Sequence, residues 1–397
     1  MTLLAEVADI QTGPFGSQLH KKDYVASGRP IVTVEHLGKR AFTRQNLPFV
    51  SEFDAERLKK YQMKHGDVIF SRVGSVDRCS YAEKRNEGWL FSGRCLRIRP
   101  KKSIDPEFLY YYLSSKAIKG FVRNIAVGAT MPSINTTLMG EIPIPAISLD
   151  RQRTIACIMS SLDIKLQANA KLNGYLAEYL KSCAKRLYRE YERDEEADLS
   201  EGWHWTTIGE ISEMVCRGIT PKYNDASDEL ILGQTCIRNN LVLLENGRLH
   251  APRKITEKWL KKYDLLINST GVGSLGRTAQ VWFDPSKLVV DSHVTIVRAA
   301  DPRHALYMGF WAFEHERYIE SLHTGSTGQT ELPRDHVKAI RLVLPSDAEL
   351  EKFNAVAQPA VELIVANQKE SKRLAELRDT LLPKLMSGEI DVSSVAI

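Results

Sequence analysis

Apolar residues recur in alternating steps of four and three from Ile155 through Met159, Leu162, Leu166, Asn169, Asn173, Leu176, Leu180 and Cys183 to Leu187. Eight of these ten positions are apolar, a coiled-coil seam over more than four heptads. It predicts one long helix over Asp150–Tyr191, because ordinary core helices seldom pass about 25 residues. Ser148 and Asp150 offer cap oxygens at its start. Ahead of it, Ile31–Val34 and Val68–Phe70 are β-branched or aromatic runs between turn residues, and they predict strands. Phe108–Val122 predicts a helix introduced by Asp105-Pro106, and Pro143 and Pro145 make Ile142–Ile147 an extended exit. Beyond the charged break Glu192–Asp198 the order repeats. Leu265–Ile267 and Val294–Val297 predict strands, Ala305–Leu322 a helix, and Leu342–Pro345 an extended exit. Asp347–Leu385 predicts a second long helix, which Pro359 and Pro383 should kink or bound.

The second half thus looks like the first written again. Asp67 in Lys64–Ser71 matches Asp264 in Lys262–Asn268, and Gly74–Arg78 matches Gly273–Arg277. Gly128–Thr130 matches Gly325–Thr327, and Leu176–Glu178 matches Leu374–Glu376. All four fall in order at an offset of about 198 residues. The first seam then maps onto Phe353, Ala357, Ala360, Ile364, Asn367, Ser371, Leu374, Arg378, Leu381 and Leu385, seven of ten apolar. The implied architecture is α+β. Two similar α/β domains, 1–147 and 200–345, alternate with helical segments 148–199 and 346–397, which pack as an antiparallel coiled coil. Asn169 and Asn367 coincide under the repeat and are expected to meet as a register-fixing polar layer; solvent-facing asparagines are the competing reading. Leu172, Tyr175 and Tyr179 form a stripe beside the seam, suited either to a partner helix or to covering the adjoining domains.

The chain has 397 residues, 43% hydrophobic and 26% charged, enough for two or three folded domains. Residues 1–147 carry 22 Lys and Arg against 14 Asp and Glu, a net +8, whereas 200–345 carry 17 of each. A basic first domain points to a polyanion as readily as to a plain solvated surface. No apolar run or N-terminal pattern predicts a membrane span or signal peptide. Six scattered cysteines without CxxC pairs predict reduced thiols in the cytoplasm.

The usual catalytic patterns are missing. Gly271–Gly276 spells GxGxxG but runs into Arg277–Trp282, which reads as a strand; a dinucleotide site needs a helix there. There is no GxxxxGK[ST] loop, no paired histidine motif and no GxSxG elbow. What remains is two pairs of matched polar loops. Ser71, Arg72, Ser75 and Arg78 match Asn268, Ser269, Thr270 and Arg277. Thr130, Ser133 and Asn135 match Ser326, Thr327, Gln329 and Thr330. Amides suit adenine, arginines suit guanine or phosphate, and short hydroxyls with free N–H groups suit phosphate. The competing reading of each loop is a plain turn. These residues are the candidate DNA contacts, and no catalytic, cofactor or metal residue is assigned.

Ile10–Leu19 (IQTGPFGSQL), Gly66–Arg72 (GDVIFSR) and Ile142–Pro145 (IPIP) resemble the specificity subunit of type I restriction–modification systems. So do the central helix from Asp150 to Leu176 and the stretch Leu381–Ile390 (LLPKLMSGEI). The resemblance covers essentially the whole chain. It implies two target-recognition domains, each reading half of a split site in double-stranded DNA. It also implies antiparallel spacer helices that bind two methyltransferase subunits, with restriction subunits joining for cleavage. S-adenosylmethionine, ATP and Mg2+ would then belong to partner subunits, and this chain would be a non-catalytic specificity subunit with no cofactor of its own. Helices of about 40 residues would span roughly 60 Å and act as a ruler between half-sites. The chain begins close to Leu4–Val7, leaving less room for a lead-in strand than Trp203–Ile208 gives the second domain.

Overall fold

The computed structural model describes residues 1–14, 16, 18–193, 198–251, 257–325 and 330–392. These divide into two compact units, one of 1–167 with 371–397 and one of 168–370. In the first, a four-stranded antiparallel sheet runs in the order Ala8–Thr12, Cys95–Pro100, Val68–Ser71, Cys79–Tyr81. In the second, the same order appears as Ser212–Arg217, Val294–Ala299, Leu265–Asn268, Thr278–Gln280. Each unit adds a parallel pair: Arg29–Val32 on Leu90–Phe91, and Glu229–Leu232 on Leu288–Val290. The repeated topology follows from the repeated pattern: Val68, Ile69 and Phe70, like Leu265, Leu266 and Ile267, are buried on both faces of their sheets.

One buried ion pair is also written twice. Asp67 accepts from Arg99 Nε and Nη2, both at 2.7 Å, and from the backbone N–H of Lys64 at 2.7 Å. Asp264 accepts from Arg298 at 2.8 and 2.7 Å and from Lys261 N–H at 2.7 Å. Both aspartates are 1% exposed. A carboxylate so far from water survives only with a paired cation and further donors, and each has them.

The lead-in strand is shorter in the first unit than in the second. Thr2–Leu3 pairs with Pro143–Ile144 over two residues, whereas His204–Thr207 pairs with Arg341–Leu344 over four. The expected helices at 108–122 and 305–322 are each broken in two. Pro106–Ser114 stops at Ser115, whose extended backbone and Oγ cap the next helix, Lys116–Ile125, by accepting from Ile118 N–H at 3.3 Å. Pro302–Glu314 stops at His315 and Glu316–Ser321 follows. Apolar periodicity runs through both breaks, because both pieces bury apolar side chains in the same core.

The long helices span Leu149–Arg193 and Asp347–Ser387. The second continues through Pro359 and Pro383, so neither proline bounds it. A proline costs one N–H and crowds the preceding turn, but buried Ala357 and Val361, and Leu382 and Leu385, hold the flanking turns against the cores. All twenty seam positions are buried or half-buried. Within the first unit, Arg151 donates to the Ile390 carbonyl and Asp163 accepts from Arg378 Nη1 at 2.9 Å. Within the second, Asn169 Nδ2 donates to Glu370 at 2.7 Å and Asn367 Nδ2 to Asn173 Oδ1 at 2.8 Å. One partner number falls as the other rises, so the packing is antiparallel. The expected Asn169–Asn367 pair does not form. Both are buried, at 3% and 7% exposure, but Asn173 stands across from Asn367 and Glu370 across from Asn169, one helical turn from the anticipated register.

Candidate nucleic-acid interface

The matched loops come together in the same way in each unit. In the first, Ile134 N–H donates to the Arg72 carbonyl and Gly74 N–H to the Pro132 carbonyl, both at 2.9 Å, while Val73 and Val127 both bridge to Ser133. In the second, Leu332 N–H donates to the Ser269 carbonyl at 2.8 Å, while Thr270 and Thr324 both bridge to Glu331. Each pair of loops is therefore one surface joined by backbone bonds. Gly74 and Gly271 sit at the turn with φ of +83° and +95°, a left-handed conformation that glycine reaches without strain. The second loop is longer by two residues: Ser71 N–H reaches the Arg78 carbonyl, and Asn268 N–H the Arg277 carbonyl.

The candidate residues sort into frame and surface. Ser71, Asn268 and Ser269 are fully buried, which corrects their assignment as contact residues. Ser71 Oγ donates to the Ser75 carbonyl and accepts from Arg78 N–H at 3.1 Å, closing its own loop. Asn268 Nδ2 donates to the Gln234 carbonyl at 3.1 Å, and Ser269 Oγ lies 2.6 Å from Thr295 Oγ1. Side chains at the end of a central strand point into the sheet's own layers, so these three hold the loops rather than project from them. Asn135 spends its carbonyl oxygen capping the helix Thr136–Gly140, accepting from Leu138 N–H at 2.8 Å. Arg72 Nη1 is turned onto the Gly93 carbonyl at 3.2 Å, and Ser133 Oγ onto the Val127 carbonyl at 3.3 Å. Ser75, Arg78 and Thr130 are exposed, and Thr270, Arg277 and Thr330 are half-buried at the rim. Ser326, Thr327 and Gln329 lie outside the described residues.

Two residues beside the second loop went unnoticed in the sequence. Gln234 Nε2 donates to the Thr270 carbonyl at 2.8 Å, and His293 Nδ1 lies 2.8 Å from Thr270 Oγ1. Neither belongs to a motif, and the repeat does not locate them, because the matching positions of the first unit hold other residue types. Asp291 N–H donates to the Leu232 carbonyl as Ser92 N–H does to that of Val32, which sets His293 opposite Arg94 and Gln234 opposite Val34. Burial raises the Asp291 carboxyl above its ordinary value, opposed by the His293 N–H and side chain. Arg217 reaches the same surface, donating to Glu331 and to the Leu332 carbonyl, both at 2.8 Å. Burial lowers its guanidinium and Glu331 counters this.

On the first long helix, Leu172, Tyr175 and Tyr179 are 41%, 59% and 51% exposed, so they cover no domain core. Lys171 Nζ lies 5.6 Å from the Tyr175 ring centre. Burial pushes the Cys79 and Cys95 thiols up to about 12, too high for a thiolate at neutral pH. Among the described residues no cluster of three or more His, Cys, Asp or Glu is placed to hold a metal, and no helix is long and apolar enough to cross a membrane.

A sheet-and-loop module present twice, each copy sharing its core with turns of two long helices, defines a two-module recognition protein. Comparison with known proteins makes this specific. Residues 2–176 match the family described as the type I restriction modification DNA specificity domain. The MjaIX specificity subunit of Methanocaldococcus jannaschii is 24% identical over 317 residues, covering 75% of this chain and 72% of its own length. A putative MjaX specificity subunit from that organism is 23% identical, covering 92% and 88%. The crystal structure of a type I restriction–modification S subunit from M. genitalium superposes with a TM-score of 0.63 at 16% identity, over 96% of this chain and 94% of that one. Residues 2–176 thus carry this specificity domain, and along most of its length the chain is similar to type I restriction–modification specificity subunits.

Proposed function

We infer that this protein reads a bipartite site in double-stranded DNA, one half-site per unit, and positions two methyltransferase subunits for adenine methylation. Restriction subunits join the same assembly for cleavage, in the cytoplasm. The chain is non-catalytic; S-adenosylmethionine, ATP and Mg2+ serve the partner subunits. The observation that carries this reading is the duplicated loop pair. The same backbone bonds hold two polar surfaces of different side-chain composition, which suits two different half-sites read by one mechanism. The exposed Leu172, Tyr175 and Tyr179 suit a partner helix, since such a stripe leaves apolar surface in water until something covers it.

Co-expression of the full chain with the methyltransferase subunit encoded beside it, followed by methylation-sensitive sequencing, tests the reading. A two-part motif with a fixed spacer is expected. Absence of sequence-dependent methylation would refute it, and failure to co-purify as well would favour a scaffold or DNA-binding protein that works without a methyltransferase.

A further inference from the structure

We propose that His293 is a base-reading residue of the second unit, held as an Nε2–H donor by a relay from Gln234 through Thr270, and that it recognises the guanine of a G·C pair. This rests on the DNA-reading function inferred above. The relay's direction follows from its first bond. A carbonyl oxygen only accepts, so the Gln234 atom 2.8 Å from the Thr270 carbonyl is the amide NH2. That same NH2 donates to Thr270 Oγ1. Having accepted from Gln234, the Thr270 hydroxyl still has its own proton to give to His293 Nδ1, 2.8 Å away. With Nδ1 accepting, the neutral imidazole carries its proton on Nε2. The Asp291 carboxylate accepts from His293 N–H at 2.9 Å and steadies the backbone that carries the ring.

His293 is exposed, and Nε2 has no partner among the described residues. It lines an open cavity of about 210 Å³ with Tyr223, Gln234, Asn246, Arg248 and Asp291. Arg248 lies 3.4 Å from the centre of the Tyr223 ring, a stacked guanidinium held beside the same cavity. Asp291 disfavours phosphate there, so a base edge is the better ligand. Guanine alone shows two adjacent acceptors, N7 and O6, to donors in the major groove. The first unit has no such relay: Val34 stands at the Gln234 position and Arg94 at the His293 position. The backbone frame is shared while the side chains differ, as two unlike half-sites require.

The test is methylation of a randomised DNA library by the full chain with its methyltransferase, comparing wild type, His293→Ala, Thr270→Val and, as control, Arg94→Ala. His293→Ala should lower the preference for one G·C pair in one half-site by about tenfold to a hundredfold, leaving the other half-site intact. Thr270→Val, which keeps the ring but frees its tautomer, should relax the same position less. Arg94→Ala should leave that position unchanged. If a variant no longer methylates, selection of bound DNA from the same library reads the half-site instead. An unchanged motif for His293→Ala, in methylation or binding, overturns the proposal while the wider function stands. Absence of any motif for the wild type overturns the wider function.

Discussion

Asp264→Ala tests the repeated ion pair that anchors the strand leading into the second recognition loop. Asp264 is 1% exposed and takes two hydrogen bonds from Arg298, whose side chain is 8% exposed. The hydrogen bonds that Arg298 donates to Asp264 are the largest cause raising its guanidinium. Truncation leaves a buried cation with Glu213 at 3.8 Å as its remaining carboxylate. Breaking one side of a buried pair costs about 3–5 kcal/mol, and Glu213 places this case near the lower end. A unit of this size has an m-value near the upper part of the range, about 2–3 kcal/mol per molar urea. Its unfolding midpoint should therefore fall by about 1–2 M urea. Five of the six tryptophans (203, 205, 259, 282 and 311) lie in the second unit, so intrinsic fluorescence reports on it selectively. Asp228→Ala, which breaks an exposed pair with Lys287, should move the midpoint by less than about 0.3 M. Equal shifts for the two variants would refute the reasoning. Asp264→Leu with Arg298→Met should recover much of the loss, since the uncompensated charge goes too.

Three further outcomes are expected. Asn173→Ala strands Asn367 Nδ2 and removes a bond to the Ile364 carbonyl, and should cost about 1–3 kcal/mol in thermal or urea unfolding; a neutral result would mean water satisfies the seam. Tyr175→Ala with Tyr179→Ala should leave the urea midpoint unchanged, because both rings are exposed, but abolish co-purification with the methyltransferase subunit; retained co-purification counts against that docking face. Deleting one heptad from 163–190 should alter the spacer of the methylated motif, and sequencing that returns the original spacer sinks the ruler idea.

The sequence by itself determined the parts that depend on local period and on repetition. Two seams at 3.5-residue spacing specify two long helices because each burial pattern is written within one element. The repeat at about 198 residues specifies two like modules because duplicated residues make duplicated strands. Motif spacing also argued against a dinucleotide site at Gly271–Gly276 by reading a strand after the glycines, and the strand Thr278–Gln280 follows there. Tertiary structure decided which polar residues face inward. Ser71, Asn268 and Ser269 look like ligand-binding side chains in the sequence, yet sheet pairing turns them into the core as loop anchors. Gln234 and His293 carry no local signal, because Thr270 joins them across 36 and 23 residues of chain. The helix register was decided the same way. Periodicity places Asn169 and Asn367 on the seam but not opposite one another, since the facing residue depends on where side chains 190 or more residues apart interlock.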